Sequence, residues 1–178
     1  MSTSCPVVSI LAGPELSAVR DMSQAFTDWT LRIGTAFRAV GNARVARGFF
    51  LLASTRDPEN ANTHYELGLA HLLAGDATSA KASLLAGLDV EPFHGGIHYN
   101  LGTVLEEEGD FLGAETEYLA AIGNLDDPSA AHARLGALLA ARGDLDAARD
   151  QLSELNARDP DGEAARFLRE LLERQATP

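Results

Sequence analysis

The 178-residue chain holds a single cysteine, Cys5, and that scarcity excludes both an internal disulfide and the multi-cysteine ligand set of a usual structural zinc site. Long apolar runs are also missing. Nothing approaches the roughly 20 residues needed to cross a bilayer, so membrane insertion is not expected. Residues 6–12 are apolar, yet no Arg or Lys precedes them, where an export signal would carry one. A cytoplasmic chain is the resulting expectation. Basic residues are few, 14 against 26 acidic ones, for a formal net charge of -12. Binding to nucleic acid or to an anionic membrane needs a basic surface that releases counterions, so a general nucleic-acid binder is not expected either. Aromatics reach only 6%, while 46% hydrophobic and 22% charged residues match a globular domain able to bury a core of its own.

What is present is a repeat. Gly followed by Asn or Asp occurs at Gly41-Asn42, Gly75-Asp76, Gly109-Asp110 and Gly143-Asp144, each pair 34 residues after the last. Ahead of each pair stands another glycine (Gly34, Gly68, Gly102, Gly136), preceded by Ile33, Leu67, Leu101 and Leu135. After each pair come Ala46, Ala80, Ala114 and Ala148, then Phe50, Leu84, Tyr118 and Leu152. Glycine tolerates the left-handed conformation that closes a helix, and the Asn or Asp after it can cap the next, so each unit reads as a helical hairpin. In the first helix the large apolar residue, its glycine and Phe37, His71, Leu105 or Leu139 share one stripe. The alanine and bulky residue of the second helix form the complementary stripe. Pro58, Pro92 and Pro160 end second helices, whereas the third unit's proline comes two positions late, at Pro128.

This pattern resembles the tetratricopeptide repeat family, with units at residues 27–60, 61–94, 95–128 and 129–162. The resemblance implies an all-α, right-handed superhelical solenoid of four helical hairpins, whose first helices line a concave groove for peptides or partner helices. Near the start of each unit, where the family usually carries a large aromatic residue, this chain has Thr30, His64, His98 and His132. Residues 163–178 read as a C-terminal capping helix and tail, with Phe167, Leu168, Leu171 and Leu172 on one side. Residues 14–26 read as an N-terminal helix that runs into or against the first repeat. Residues 1–13 show no helical pattern and read as extended or mobile.

Candidate chemistry is sparse. His64, His98 and His132 form a row with one member per repeat, but neighbouring helical layers lie about 8–10 Å apart and zinc needs ligand atoms within about 2.0–2.1 Å of one centre. Packing and hydrogen bonding inside each hairpin is the expected role. His94 and His98 have a chelating spacing, but Gly95-Gly96 lies between them and His94 falls in a turn. No nucleophile elbow or phosphate-binding glycine loop is present, and Glu106-Glu107-Glu108 with Asp110 reads as a solvated helix end. No catalytic, cofactor-binding or metal-binding residue is therefore assigned, and no enzyme activity is expected.

The expected site is the groove. Displacing the packing stripe around each first helix assigns Asp28, Leu31, Thr35 and Arg38 from the first unit, Asn62, Tyr65, Leu69 and Leu72 from the second, Tyr99, Thr103 and Glu106 from the third, and Ala133, Ala137 and Ala140 from the fourth. Tyr65 and Tyr99 occupy equivalent positions, so two phenol rings are expected side by side, either as partner anchors or packed between repeats. Family members that clamp acidic chaperone tails use a Lys, Asn, Asn, Lys and Arg set. Here the matching columns hold Leu31, Thr35, Glu66, Gly96 and Asn100, or one unit later Tyr65, Leu69, Asn100, Ala130 and Arg134, so that ligand is not expected. Residues 57–133 carry 14 acids against Lys81 alone, a polarity suited to a basic partner.

Together these features point to a noncatalytic protein–protein interaction module, an adaptor or assembly scaffold, that binds a peptide or partner helix in its groove. Two alternatives stand beside it. One is a secretion-type chaperone sequestering an apolar client segment. The other is a homo-oligomer in which the apolar residues 6–11 fill the chain's own groove or a neighbour's.

Overall fold

The computed structural model describes residues 14–176, and these form nine α-helices with no strand. In chain order they are α1 (Pro14–Ala39), α2 (Ala43–Arg56), α3 (Ala61–Leu73), α4 (Ala77–Val90), α5 (Gly95–Glu108), α6 (Phe111–Asn124), α7 (Ser129–Ala141), α8 (Leu145–Arg158) and α9 (Glu163–Ala176). The reading of residues 1–13 as extended or mobile lies outside the described residues. Helix α1 is continuous, so residues 14–26 and the helix that opens the first unit are a single element.

The turn chemistry follows from two residues per unit. Gly41, Gly75, Gly109 and Gly143 adopt φ of 78°, 75°, 81° and 86°, the left-handed conformation in which a Cβ would be strained. The residue after each glycine then does two jobs. Its backbone N–H donates to the carbonyl of Phe37, His71, Leu105 or Leu139, closing the preceding helix. Its side-chain oxygen accepts from the backbone N–H of Val45, Ser79, Gly113 or Ala147, capping the following helix. The late proline has a visible consequence: α7 starts after Pro128 with no side-chain cap of its own, and Asp127 accepts the Ser129 N–H instead.

Within each pair of helices, the inner glycine sets the approach. A Cβ at Gly34, Gly68 or Gly102 would lie within 3 Å of the side chain of Phe50, Leu84 or Tyr118, and these three bulky residues are fully buried. The fourth unit differs. Gly136 is met by Leu168 of α9 rather than by Leu152, which is only half-buried. Helix α9 lies against both α7 and α8, and Ala165, Leu168 and Leu172 are buried there in the main core. That core runs from Leu84 to Leu172, while Ala46, Phe50, Leu67 and Ala70 form a separate cluster at the N-terminal end.

Ion pairs stitch each unit to the next. Arg38 of α1 meets Glu66 of α3 at 2.9 Å, Lys81 of α4 meets Glu108 at 2.6 Å, and Arg142 pairs with Glu115 of α6. The histidine row is spent on local structure. His64 and His98 each place Nε2 2.9 Å from the carbonyl oxygen of the proline six residues earlier, Pro58 or Pro92. His98 and His132 each turn Nδ1 toward the second helix, to Glu117 at 2.7 Å and Gln151 at 2.9 Å.

Candidate functional site

The first helices α1, α3, α5 and α7 share a face, and two cavities open on it. The smaller, of about 470 Å³, lies between α1 and α3 and is lined by Leu31, Arg32, Thr35, Asn62, Tyr65 and Glu66. The larger, of about 640 Å³, lies where α5, α7 and α9 meet. It is lined by Tyr99, Ala130, Ala133, Ala164 and Phe167 together with the charged Asp127, Arg134, Asp159 and Glu163.

The groove residues named from sequence divide by what holds them. Leu31, Thr35, Asn62 and Tyr65 line the smaller cavity and Tyr99 the larger. Arg38, Leu72 and Glu106 occupy equivalent positions that face the next unit. Arg38 is committed to Glu66, Leu72 packs against the main core, and Glu106 accepts from the Tyr118 hydroxyl at 2.6 Å with Arg134 3.7 Å away. Thr35 and Thr103 donate their hydroxyls to carbonyls of their own helices, Leu31 and Asn100, which leaves only acceptor capacity for a ligand. Leu69 is half-buried beside them and lines neither cavity.

The two tyrosines have different neighbours. The Tyr65 ring lies 5.1 Å from the His94 ring, its hydroxyl faces the Asn100 side chain, and burial together with the Glu66 carboxylate raises its pKa. Tyr99 sits 6.0 Å from the Tyr118 ring, and its hydroxyl faces Arg134. Each phenol therefore bridges its own unit to the following helices while keeping one edge in a cavity. Burial, with the Glu106 hydrogen bond second, likewise raises the pKa of Tyr118, so that phenol stays a neutral donor to Glu106.

Sequence reasoning missed Arg32, Glu66 and the α9 wall. A signal for α9 exists: extending the 34-residue period one step past α7 carries Ala130, Ala131 and Ala133 onto Ala164, Ala165 and Phe167. Helix α9 thus occupies the place of a first helix in a fifth unit. Among the described residues no three His, Cys, Asp or Glu side chains gather in a metal-holding group, and no helix is long and apolar enough to cross a membrane.

Comparisons agree with this geometry. The tetratricopeptide repeat profile matches residues 31–84, 74–129 and 99–163. No curated protein matches the sequence. Among solved structures, PilF of Pseudomonas aeruginosa is 18% identical with a TM-score of 0.75, over 86% of this chain and 70% of that one. YrrB, described as a TPR protein with an unusual peptide-binding site, is 22% identical with a TM-score of 0.67, over 82% of this chain and 75% of its own. An O-GlcNAc transferase of Thermobaculum terrenum is 22% identical with a TM-score of 0.70, but the match spans only 26% of that enzyme against 76% of this chain. At these identities the likeness is one of fold.

Proposed function

Because the chain belongs to the tetratricopeptide repeat family, whose members mediate protein–protein interaction, we propose that it is a noncatalytic docking module that receives a peptide or partner helix on its first-helix face. In this reading the stack curves as a right-handed superhelix of four hairpins, and the two cavities are successive stations along its inner groove. The observation that carries it is the pair of cavities on one face, both floored by small or apolar side chains and both edged by charge. Such a surface offers apolar area for affinity and charged rims for register, and it lacks any nucleophile–base pair of the kind a reaction needs. Adaptor or assembly-scaffold work fits this better than turnover does.

The test fills each station separately. Ala130→Trp narrows the larger cavity and Arg32→Glu reverses a charge in the smaller, each at an exposed position outside the core clusters. Affinity capture from the native cell should retain specific proteins on the wild-type chain, and the purified partner should bind at least one variant about tenfold more weakly, a loss of about 1.4 kcal/mol. Equal affinity for the wild type and both variants would remove this face from consideration.

A further inference from the structure

The period that builds the molecule also singles out one position that differs from its equivalents. Trp29, Thr63, Ile97, Ala131 and Ala165 are equivalent positions, one on each of α1, α3, α5, α7 and α9. The last four are 0%, 0%, 0% and 1% exposed, because each later helix of this series has the second helix of the unit before it packed alongside. Trp29 is 53% exposed, and among the described residues no second helix of a preceding unit packs alongside it as one does at the four later positions. The position that is sealed four times over is therefore open once, and it carries the chain's largest side chain there. Trp29 does not stand alone. Met22 is 74% exposed one turn before the half-buried Phe26, whose ring centroid is 6.1 Å from Trp29, and the three share one side of α1.

We propose that residues 6–11, Pro-Val-Val-Ser-Ile-Leu, fold back along α1 and cover Met22, Phe26 and Trp29, in the place that a second helix holds beside the later helices of the series. Three observations select this occupant. The eight residues 6–13 span about 26 Å when extended, and the 15 steps from Pro14 to Trp29 along a helix cover about 22 Å, so the segment reaches the tryptophan with little to spare. Gly13, directly before Pro14, permits the reversal of direction. Residues 1–13 contain no charged side chain, which matches a strip of three apolar side chains whose neighbouring cation, Arg56, already lies 5.2 Å over the Phe26 ring. A tethered segment also outcompetes a second molecule, because a short link gives an effective concentration in the millimolar range.

The native sequence supplies its own reporters, since Trp29 and Cys5 are each unique. Cys5 is labelled with an aminonaphthalene acceptor and energy transfer from Trp29 is measured in the full chain. Folded back, Cys5 lies close to Trp29, and tryptophan emission should fall by more than about half; extended away, the two are roughly 50 Å apart and emission should be unchanged. Val8→Asp with Ile10→Asp should restore the emission and roughly double quenching of Trp29 by acrylamide, with helical content checked by circular dichroism. Absence of transfer in the wild type, or identical behaviour of the double variant, overturns the proposal. So does transfer that disappears when labelled chain is diluted tenfold with unlabelled chain, because the cover would then come from a second molecule.

Discussion

A Cβ added at Gly102 would lie 2.7 Å from the Tyr118 ring, whereas one added at Gly109 would meet nothing within 4 Å. The two glycines are thus required for different reasons, close approach in one case and a φ of 81° in the other. Gly102→Ala should cost about 1–3 kcal/mol through overpacking, and Gly109→Ala about 1–2 kcal/mol through left-handed strain. Urea unfolding separates the mechanisms. Tyr118→Leu relieves the crowding at Gly102, so the cost of the alanine should shrink in that background, while the cost at Gly109 should stay the same. Additivity in both backgrounds would show that the glycine does not set the approach. A second residue-scale effect concerns His71. Burial, opposed by the neighbouring Asp76 carboxylate, lowers its pKa below 6.5, and its Nδ1 lies 3.5 Å from Asp76 without a hydrogen bond. The folded state therefore favours neutral His71, and the unfolded chain binds the proton more readily. Stability should be full above pH 6.5 and fall as the pH drops through the lowered folded pKa. Thermal midpoints measured between pH 7.5 and about 5 should show that decline in the wild type, and His71→Leu should flatten it.

At the scale of elements, the turns were the most legible feature, because Gly followed by Asn or Asp encodes both a helix stop and a helix start within two residues. The cap was less so. Sequence spacing pointed to Leu152 as the partner of Gly136, since every preceding unit places its bulky residue there, but the cavity beside Gly136 is filled from α9 by Leu168. Periodicity within a unit cannot reveal which of two leucines arrives first when a helix from outside that unit competes for the site. The competition has a measurable result. Leu168 is fully buried and Leu152 only half, so Leu168→Ala should cost about 2–5 kcal/mol and Leu152→Ala well under half of that. Denaturant midpoints decide it, and equal losses would restore the assignment drawn from spacing. The candidate site was legible to the same depth. Residues on the first-helix face were identifiable from a 3.6-residue period, but Arg38 is paired with Glu66 of the next unit, Leu72 packs on the main core, and Glu106 accepts from Tyr118 of its own unit with Arg134 of the next nearby. Their partners lie 28 positions away, 12 positions away across the hairpin, or in the core, and a period describes a face without saying which neighbour has already claimed it.

Across the whole molecule, stacked units contact only their neighbours, so stability is a sum of unit and interface contributions rather than one indivisible quantity. The interfaces here are unequal. Toward the C-terminus a single cluster joins α4 to α9 through Leu84, Ile97, Leu101, Tyr118, Leu135 and Leu168. At the N-terminal end a smaller cluster, Ala46, Phe50, Leu67 and Ala70, is flanked by the buried polar residues Thr27, Thr30, Ser54 and Thr63. Thr30 and Thr63 donate to carbonyls of Thr27 and Asn60, which satisfies the hydroxyls but contributes less than the apolar contact Ile97 makes at the position equivalent to Thr63. The first pair of helices should therefore open on its own, before the rest. Native-state hydrogen exchange should show amides of α1 and α2 exchanging through an opening several kcal/mol below the global one, with those of α5 to α7 protected up to the global limit. Replacing Thr63 by Ile, the residue found one period later, should raise protection in α2 and α3 and leave α5 to α7 unchanged. Uniform protection from α1 to α8 would mean that the ion pair of Arg38 with Glu66 and the aromatic packing around Phe49 tie the first pair in as firmly as the continuous core ties the others.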